Sequence, residues 1–512
     1  MRKIFTLLFL AVAAVAARAT DYNVPITVIV NGETSEQTGV ISVVENGGLY
    51  ELTVKNFMLQ SEEDLMPVGN VELKDIQPYQ DGNATLLLAK QIVTITPGDD
   101  PNVPFWLASK LPPVPVDLRG KIVNGTLRCY LDINLETMGQ VIQVAIGDDK
   151  GYQMPNPSFE DWHISGDIKN WAGIKTGDAY EPNNWHSFES ATGDLAYLAG
   201  NHIGKSNVAH SGSLSARIFA TSILGIIANG TMTTGRMNAG NTDAKNTDNH
   251  AYLDVSMTDK DGNGDPFYTP LYSRPDAVSV WVKFSQGTPN SDHPYATVSA
   301  VITDGSRYQD PEDKTYTNVV AKAKNNTIAT TGGQWKQIVI PFTYTKYNVD
   351  PKAVLITIST NADAGQGSKN DEVLVDDIEF IYNAKVTGLK VKGQAVTGFS
   401  AEQAEYEMEL NEAITADDIE VAVEGKPHVV KNVEEKDGEY ICTIDVIGSD
   451  MKAKSTYVVK VKSNATGIRS IQPAANQSAT YFTLDGRQVS TLVPGNVYIS
   501  RQADGTVKKI RP

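Results

Sequence analysis

Almost every periodic stretch of this chain alternates with a period of two. "NVPITVIVNG", "GLYELTVKNF", "ATLLLAKQIVTI", "TLRCYLDINL" and "VSVWVKFSQ" are short runs rich in Val, Ile, Tyr and Thr, and Gly, Asn and Asp break them apart. A side chain that returns to the same side every second residue belongs to a strand with one face buried, so the pattern predicts antiparallel sheets. The longest helix it allows is a one- or two-turn element near Phe57 to Leu65. The expected fold class is all-β. Apolar residues make up 41% of the 512, too many for a disordered chain, and the length suits about three domains.

The formal charge is −17, with 44 Lys and Arg against 61 Asp and Glu. That field repels nucleic acid and anionic membrane surfaces, and it disfavours sulfated or uronic-acid polymers as partners. At the start, Arg2 and Lys3 precede an apolar run from Ile4 to Ala16, and Ala17-Arg18-Ala19 supplies small residues for a peptidase. This reads as a secretory signal peptide over 1–19, since so short a run spans only about 20 Å as a helix. The chain is therefore expected to be exported, to the cell surface or periplasm, without a transmembrane segment. Cys129 and Cys442 each lie in an alternating segment and are expected to be free and buried.

Four units follow the leader. Residues 21–150 are dense in hairpin-length strands and suit one barrel or sandwich, with the Pro-rich stretch Ser109 to Gly120 as a loop or edge. Residues 152–382 open on an irregular Trp-, Asn- and His-rich stretch before strands return, and are long enough for a double-sheet jelly roll. In "VSVWVKF", Val278, Val280, Val282 and Phe284 share one face, with Trp281 on the other. Residues 383–465, with Tyr406 and Tyr457, suit a small immunoglobulin-like sandwich, and 478–512 reads as two or three hairpin strands.

Several segments resemble known families. "YELTVKNFML", "PVGNVELKDI" and "LRGKIVNGTLRCYLDINLETMGQVIQVAIG" are similar to the calycin-like barrel domain. "NPSFEDWHISG", "NNWHSF", "SGSLSARI" and "VLVDDIEFIY" resemble the "putative carbohydrate metabolism domain" of exported Bacteroidetes proteins, a jelly roll of the galactose-binding or carbohydrate-binding-module kind. "YFTLDGRQV" and "GNVYISRQADGTVKKI" look like the C-terminal sorting tail of Bacteroidetes surface proteins, although Asn496 and the final Pro512 depart from its pattern. The middle resemblance implies a structural calcium ion held by Glu160 with Asp376 or Asp377. Calcium takes six to eight oxygens, which paired carboxylates and backbone carbonyls supply. An acidic strand end without an ion is the other reading of the same residues.

The candidate ligand site rests on aromatics. Trp162, Trp171 and Trp185 fall close together, with Tyr180, His186 and Phe188 beside them and Asn183 and Asn184 between. Sugars offer C–H patches to ring faces and hydroxyls to Asn and His, so Trp162, Trp171, Trp185, Asn184 and His186 are the expected carbohydrate contacts. Each Trp could equally plug the core under a loop. "DKDGNGD", Asp259 to Asp265, has the first half of a calcium loop, but Pro270 stands where the closing Glu belongs, so a tight acidic turn is expected. His163, His186, His202 and His210 have spacings that match no zinc signature, and zinc is not expected. No nucleophile elbow, zincin, phosphate-loop or dinucleotide motif is present, so no catalytic residue and no organic cofactor are assigned. The expectation is non-catalytic recognition of a neutral glycan. The rivals are a glycoside-processing enzyme using a carboxylate pair, with Glu181 and Glu189 as first candidates, and a structural, adhesive or small-apolar-ligand protein built on the barrel. Other surface proteins are plausible partners for any of these.

Overall fold

The computed structural model describes residues 18–30, 33–60, 65–135, 140–169, 172–223, 225–260, 262–410, 412–436, 438–463, 480–484, 486–501 and 507–512. Residues 1–17 of the expected leader, Trp171 and Asp261 lie outside them, while Arg18 and Ala19 belong to the first strand. Among the described residues no helix is long and apolar enough to cross a membrane. The chain packs as two compact units: residues up to 387 with 421–430 and 445–456, and residues 388–420 with 431–444 and 457–512.

In the first unit, nine strands form one curled, barrel-like antiparallel sheet: β1 (Arg18–Val30), β2 (Glu33–Asn46), β3 (Leu49–Gln60), β4 (Leu65–Ile76), β5 (Pro78–Asp81), β6 (Ala84–Val93), β7 (Val114–Val123), β8 (Thr126–Leu135) and β9 (Gln140–Ile146). Their order is β4-β3-β2-β1-β9-β8-β7-β6-β5, so β1 joins β9 and the two ends of the chain segment meet mid-sheet. The ends of the sheet draw together where Asn70 on β4 exchanges two backbone hydrogen bonds with Thr96, just beyond β6. Gly69 permits that approach: its φ is +131°, and a Cβ there would sit 2.2 Å from the Thr96 carbonyl oxygen.

Alternation fills the barrel. Ile26 and Val28, Ile41 and Val43, Leu52 and Val54, Leu127 to Ile133 at every second residue, and Val144 and Ile146 all point inward around Trp106 and Phe57. The lumen is a packed core, and the 590 Å³ pocket of this region opens instead on the outer face, beside Thr27, Gln143, Arg128 and Asp450. Two local expectations are corrected. Phe57 to Gln60 continues β3 instead of starting a helix, because Phe57 is needed inside the barrel. The Pro-rich stretch turns once as a 3₁₀ helix at Leu107–Lys110 and then enters β7, an interior strand. Pro115 is tolerated there because it lies at the strand's start.

The middle of this unit carries two larger sheets. One runs in the order Ile203–Ser206, Ser215–Phe219, Glu372–Ile381, Ala277–Ser285, Lys336–Pro341. The other centres on Thr231–Thr233, Ala353–Ser359, Ala296–Thr303 and Val319–Ile328. They share one core: Val278, Val280, Val282 and Phe284 from the first meet Val298, Ala300, Ile302, Ile356 and Ile358 from the second. A separate hairpin, β10 (Trp162–Lys169) and β11 (Lys175–Pro182), stands outside both sheets.

In the second unit the strand Glu405–Leu410 runs parallel to the C-terminal part of Lys454–Ser463. Tyr406 and Tyr457 are buried around Phe399, and both hydroxyls donate to carbonyls of the adjoining turn, at Ser400 and Ala401. Thr480–Thr483, Gln488–Val489, Tyr498–Arg501 and Val507–Ile510 form a four-stranded antiparallel sheet. Both cysteines are free and buried.

Candidate functional site

The hairpin β10–β11 sorts its side chains by alternation. His163 lies opposite Glu181, while Trp162 lies opposite Pro182 and Ile164 opposite Tyr180. Cross-strand partners share a face, so one side of the ribbon carries His163 and Glu181 and the other carries Trp162, Ile164 and Tyr180.

The outer face is partly exposed, and Trp162 also packs against the core of the two middle sheets. Ile164 is 56% exposed, and Trp162 and Tyr180 are half-buried. The Trp162 indole N–H donates to the Phe159 carbonyl at 2.6 Å, which fixes the ring's tilt. Lys205 places its ammonium 4.1 Å from the centre of the Tyr180 ring and 5.9 Å from that of Trp162.

The inner face is closed and polar. Glu181 is fully buried, and its Oε1 accepts the Ser187 N–H at 2.6 Å, the Ser187 hydroxyl at 2.5 Å and the Ser190 hydroxyl at 3.2 Å. Burial alone would raise this carboxyl, but His186 and Ser187 outweigh it and hold it below its ordinary value. His186 Nδ1 faces Glu181 Oε2 at 3.8 Å, too long for a hydrogen bond. His163 Nε2 stands 4.0 Å from Asp259 Oδ2. Burial pushes Asp259 up, with the Glu181 charge adding to the shift. The ligating atoms of His163, Glu181 and Asp259 lie within 4.8 Å of one another. Asp259 arrives on the loop 259–265, which closes as a tight turn through Gly264 N–H to Asp259 O. That loop is tied to the hairpin because Asp265 accepts the Asn184 N–H, and Asn263 donates to Asn183 Oδ1 at 3.3 Å.

The sequence-nominated aromatics separate. Trp185 is fully buried in the core, its ring tilted against Phe159 at 5.3 Å, so it has no open face for a sugar. His186 is also fully buried, packed 4.5 Å from the Phe267 ring. Asn184 occupies a left-handed turn position, φ +66°, where it holds the 259–265 loop. Trp162 is half-buried and packs partly against the core of the two middle sheets, and Trp171 lies outside the described residues.

Glu160 and Asp376 both grip one loop. Glu160 Oε1 accepts the N–H groups of Ser213 at 2.8 Å and Leu214 at 2.9 Å, which lowers its carboxyl. Asp376 is buried and accepts the N–H groups of His210 and Ser211. Burial pushes it up despite those donors. Asp377 sits on a bulge at φ +44° and pairs with His210 at 2.6 Å, and the His210 ring stacks on Trp281 at 3.7 Å. Glu160, in the loop before β10, and Asp376 and Asp377, midway along the strand Glu372–Ile381, thus clamp the segment 210–214.

From the sequence, His163 and Asp259 were weighed separately, in the four-histidine group and in the half calcium loop, and both were set aside. Ligands that meet from a strand and a distant loop leave no spacing signature, so nothing joined the two.

No curated protein matches the chain. A crystal structure from Bacteroides thetaiotaomicron, named as a "putative glycoside hydrolase", aligns with a TM-score of 0.32 at 12% identity, over 59% of this chain and 98% of that one, a score too low to equate the folds. Residues 19–146, the span of the nine-stranded curled sheet, match the calycin-like beta-barrel domain family.

Proposed function

We propose that this protein is an exported, non-catalytic binder of a neutral carbohydrate at the cell surface or in the periplasm, and that the sugar sits on the outer face of β10–β11. One observation carries the reading: Trp162, Ile164 and Tyr180 share one partly exposed face of a hairpin outside the main sheets, with the Lys205 ammonium beside it. Aromatic faces stack on sugar C–H patches, and the ammonium is a ready donor to hydroxyls. The net charge of −17 favours a neutral glycan over a polyanion. Pairing of the two middle sheets as a jelly roll, and a structural calcium at Glu160 and Asp376, belong to the same proposal. Such an ion would share its oxygens with the N–H groups of the 210–214 loop.

The hydrolase alternative is weaker. Glu189 is poised as an acid, pushed up to about 7 by burial and by the Glu181 charge. Its partner Glu181, however, is sealed from solvent, and a nucleophile or base must touch substrate or its water.

Calorimetry and array binding with neutral oligosaccharides test the proposal. Wild type is expected to bind, and Trp162→Ala and Tyr180→Ala to weaken binding by about tenfold or more, near 1.4 kcal/mol. No binding by wild type, or unchanged binding by both folded variants, would overturn it.

A further inference from the structure

Beneath the inner face of the hairpin, four buried or nearly buried polar atoms converge without a hydrogen-bond partner among the described residues: His163 Nε2, Glu181 Oε2, His186 Nδ1 and Asp259 Oδ2. We propose that His163, Glu181 and Asp259, with His186 as the fourth group, bind one divalent transition-metal ion of the zinc class. The ion is structural, and it staples β10, β11 and the 259–265 loop together. The inference is independent of the carbohydrate reading.

The protonation pattern makes the case. His186 Nε2 lies 3.1 Å from the Pro266 carbonyl, which can only accept, so Nε2 carries a hydrogen and Nδ1 of the neutral ring presents its lone pair. His163 Nδ1 lies 3.1 Å from Asn183 Oδ1, and the same oxygen accepts from Asn263 Nδ2. That assigns the amide orientation, puts a hydrogen on Nδ1 and leaves Nε2 of the neutral ring bare. Neutral rings would thus set lone pairs against carboxylate oxygens at 3.8 and 4.0 Å. A proton on each ring or one shared cation resolves that repulsion, and both distances are too long for the N–H···O bonds that protons would make. One water could donate to only two of the four.

The surroundings match a metal site's outer layer. The far nitrogen of each imidazole is held by an oxygen, as in metal-bound histidines. Three donors occupy Glu181 Oε1 and turn Oε2 toward the cluster. A Cβ on Gly262 would come 2.1 Å from Asp259 Oδ2 and 3.3 Å from His163 Nε2, so a side chain there would fill the space. Tetrahedral zinc with ligands at about 2.0–2.2 Å sets neighbouring ligand atoms roughly 3.4 Å apart. The triad's ligand atoms, within 4.8 Å of one another, would draw together by up to about 1.4 Å to reach that spacing. Imidazole ligands favour zinc, cobalt or nickel over calcium, which takes oxygens. The burial of Glu181, His186 and Asp259 leaves no open coordination position facing solvent, hence the structural role.

The test uses the purified full-length chain. Elemental analysis should find one zinc per chain, or EDTA-treated protein should take up one equivalent of Zn²⁺ or Co²⁺ by calorimetry, with Co²⁺ developing visible ligand-field bands. His163→Gln and Asp259→Asn should weaken Zn²⁺ binding by about 100-fold or more, and Asn183→Ala, which frees the His163 ring, by about 10–100-fold. The inference fails if EDTA-treated wild type takes up neither ion at one per chain. It fails equally if Ca²⁺ displaces bound Co²⁺ and abolishes its bands, or if folded His163→Gln and Asp259→Asn bind as wild type. Should both variants misfold, the Co²⁺ spectrum of wild type decides: bands support the site, and their absence overturns it.

Discussion

Trp162 opens β10 and Trp185 follows the end of β11, and the two do different work. Trp185 touches Phe159 inside the core and is fully buried, so Trp185→Ala opens a cavity and should cost about 3–5 kcal/mol. Urea unfolding of the variant measures this, and a cost below 1 kcal/mol would show that the ring is not packed as described. Glu189 gives a pH signature at the same scale. Its folded carboxyl is pushed up to about 7 by burial, with the Glu181 charge adding, against 4.5 for the ordinary group. The folded state therefore keeps a proton that the unfolded chain releases. The stability this contributes is fully present below about pH 4.5 and is lost as pH rises through about 7. Glu189→Gln keeps the neutral form at all pH, so it should match wild type near pH 4.5 and exceed it at pH 8. The gain should be on the order of 1–2 kcal/mol, after allowing for screening of a half-buried group. Equal differences at both pH values in thermal melts would exclude the shift.

At the scale of elements, the strands were legible because period-two alternation reports burial directly. Val278 to Phe284 lie inward as their spacing requires, and the barrel strands follow the same rule. What alternation did not report was a local preference overruled by packing: Phe57 extends β3 because the barrel core needs its ring, and the Pro-rich run feeds an interior strand. The ends of the sheet meet through a backbone pairing that no pattern announces, Asn70 with Thr96, beside Gly69. Gly69→Ala puts a Cβ on a carbonyl oxygen at a positive φ and should destabilise the first unit by about 1–3 kcal/mol or more, read as a lower urea midpoint. An unchanged midpoint would mean that the closure tolerates a side chain.

For the whole molecule, the sequence by itself determined an acidic, all-β chain with a calycin-like first region and free cysteines, since composition and periodicity are sums over local choices. It also marked the region around Trp162 to His186 as unusual in composition. Only the tertiary structure decided what those residues do. Burial withdrew Trp185 and His186 from solvent, and strand pairing set His163 against Glu181. The 259–265 loop then brought Asp259 to meet them from a distant part of the chain. Spacing along a sequence can reveal ligands that share one turn or one strand; it cannot reveal a convergence of separate segments, because the distances that make it a site exist only once the chain has folded.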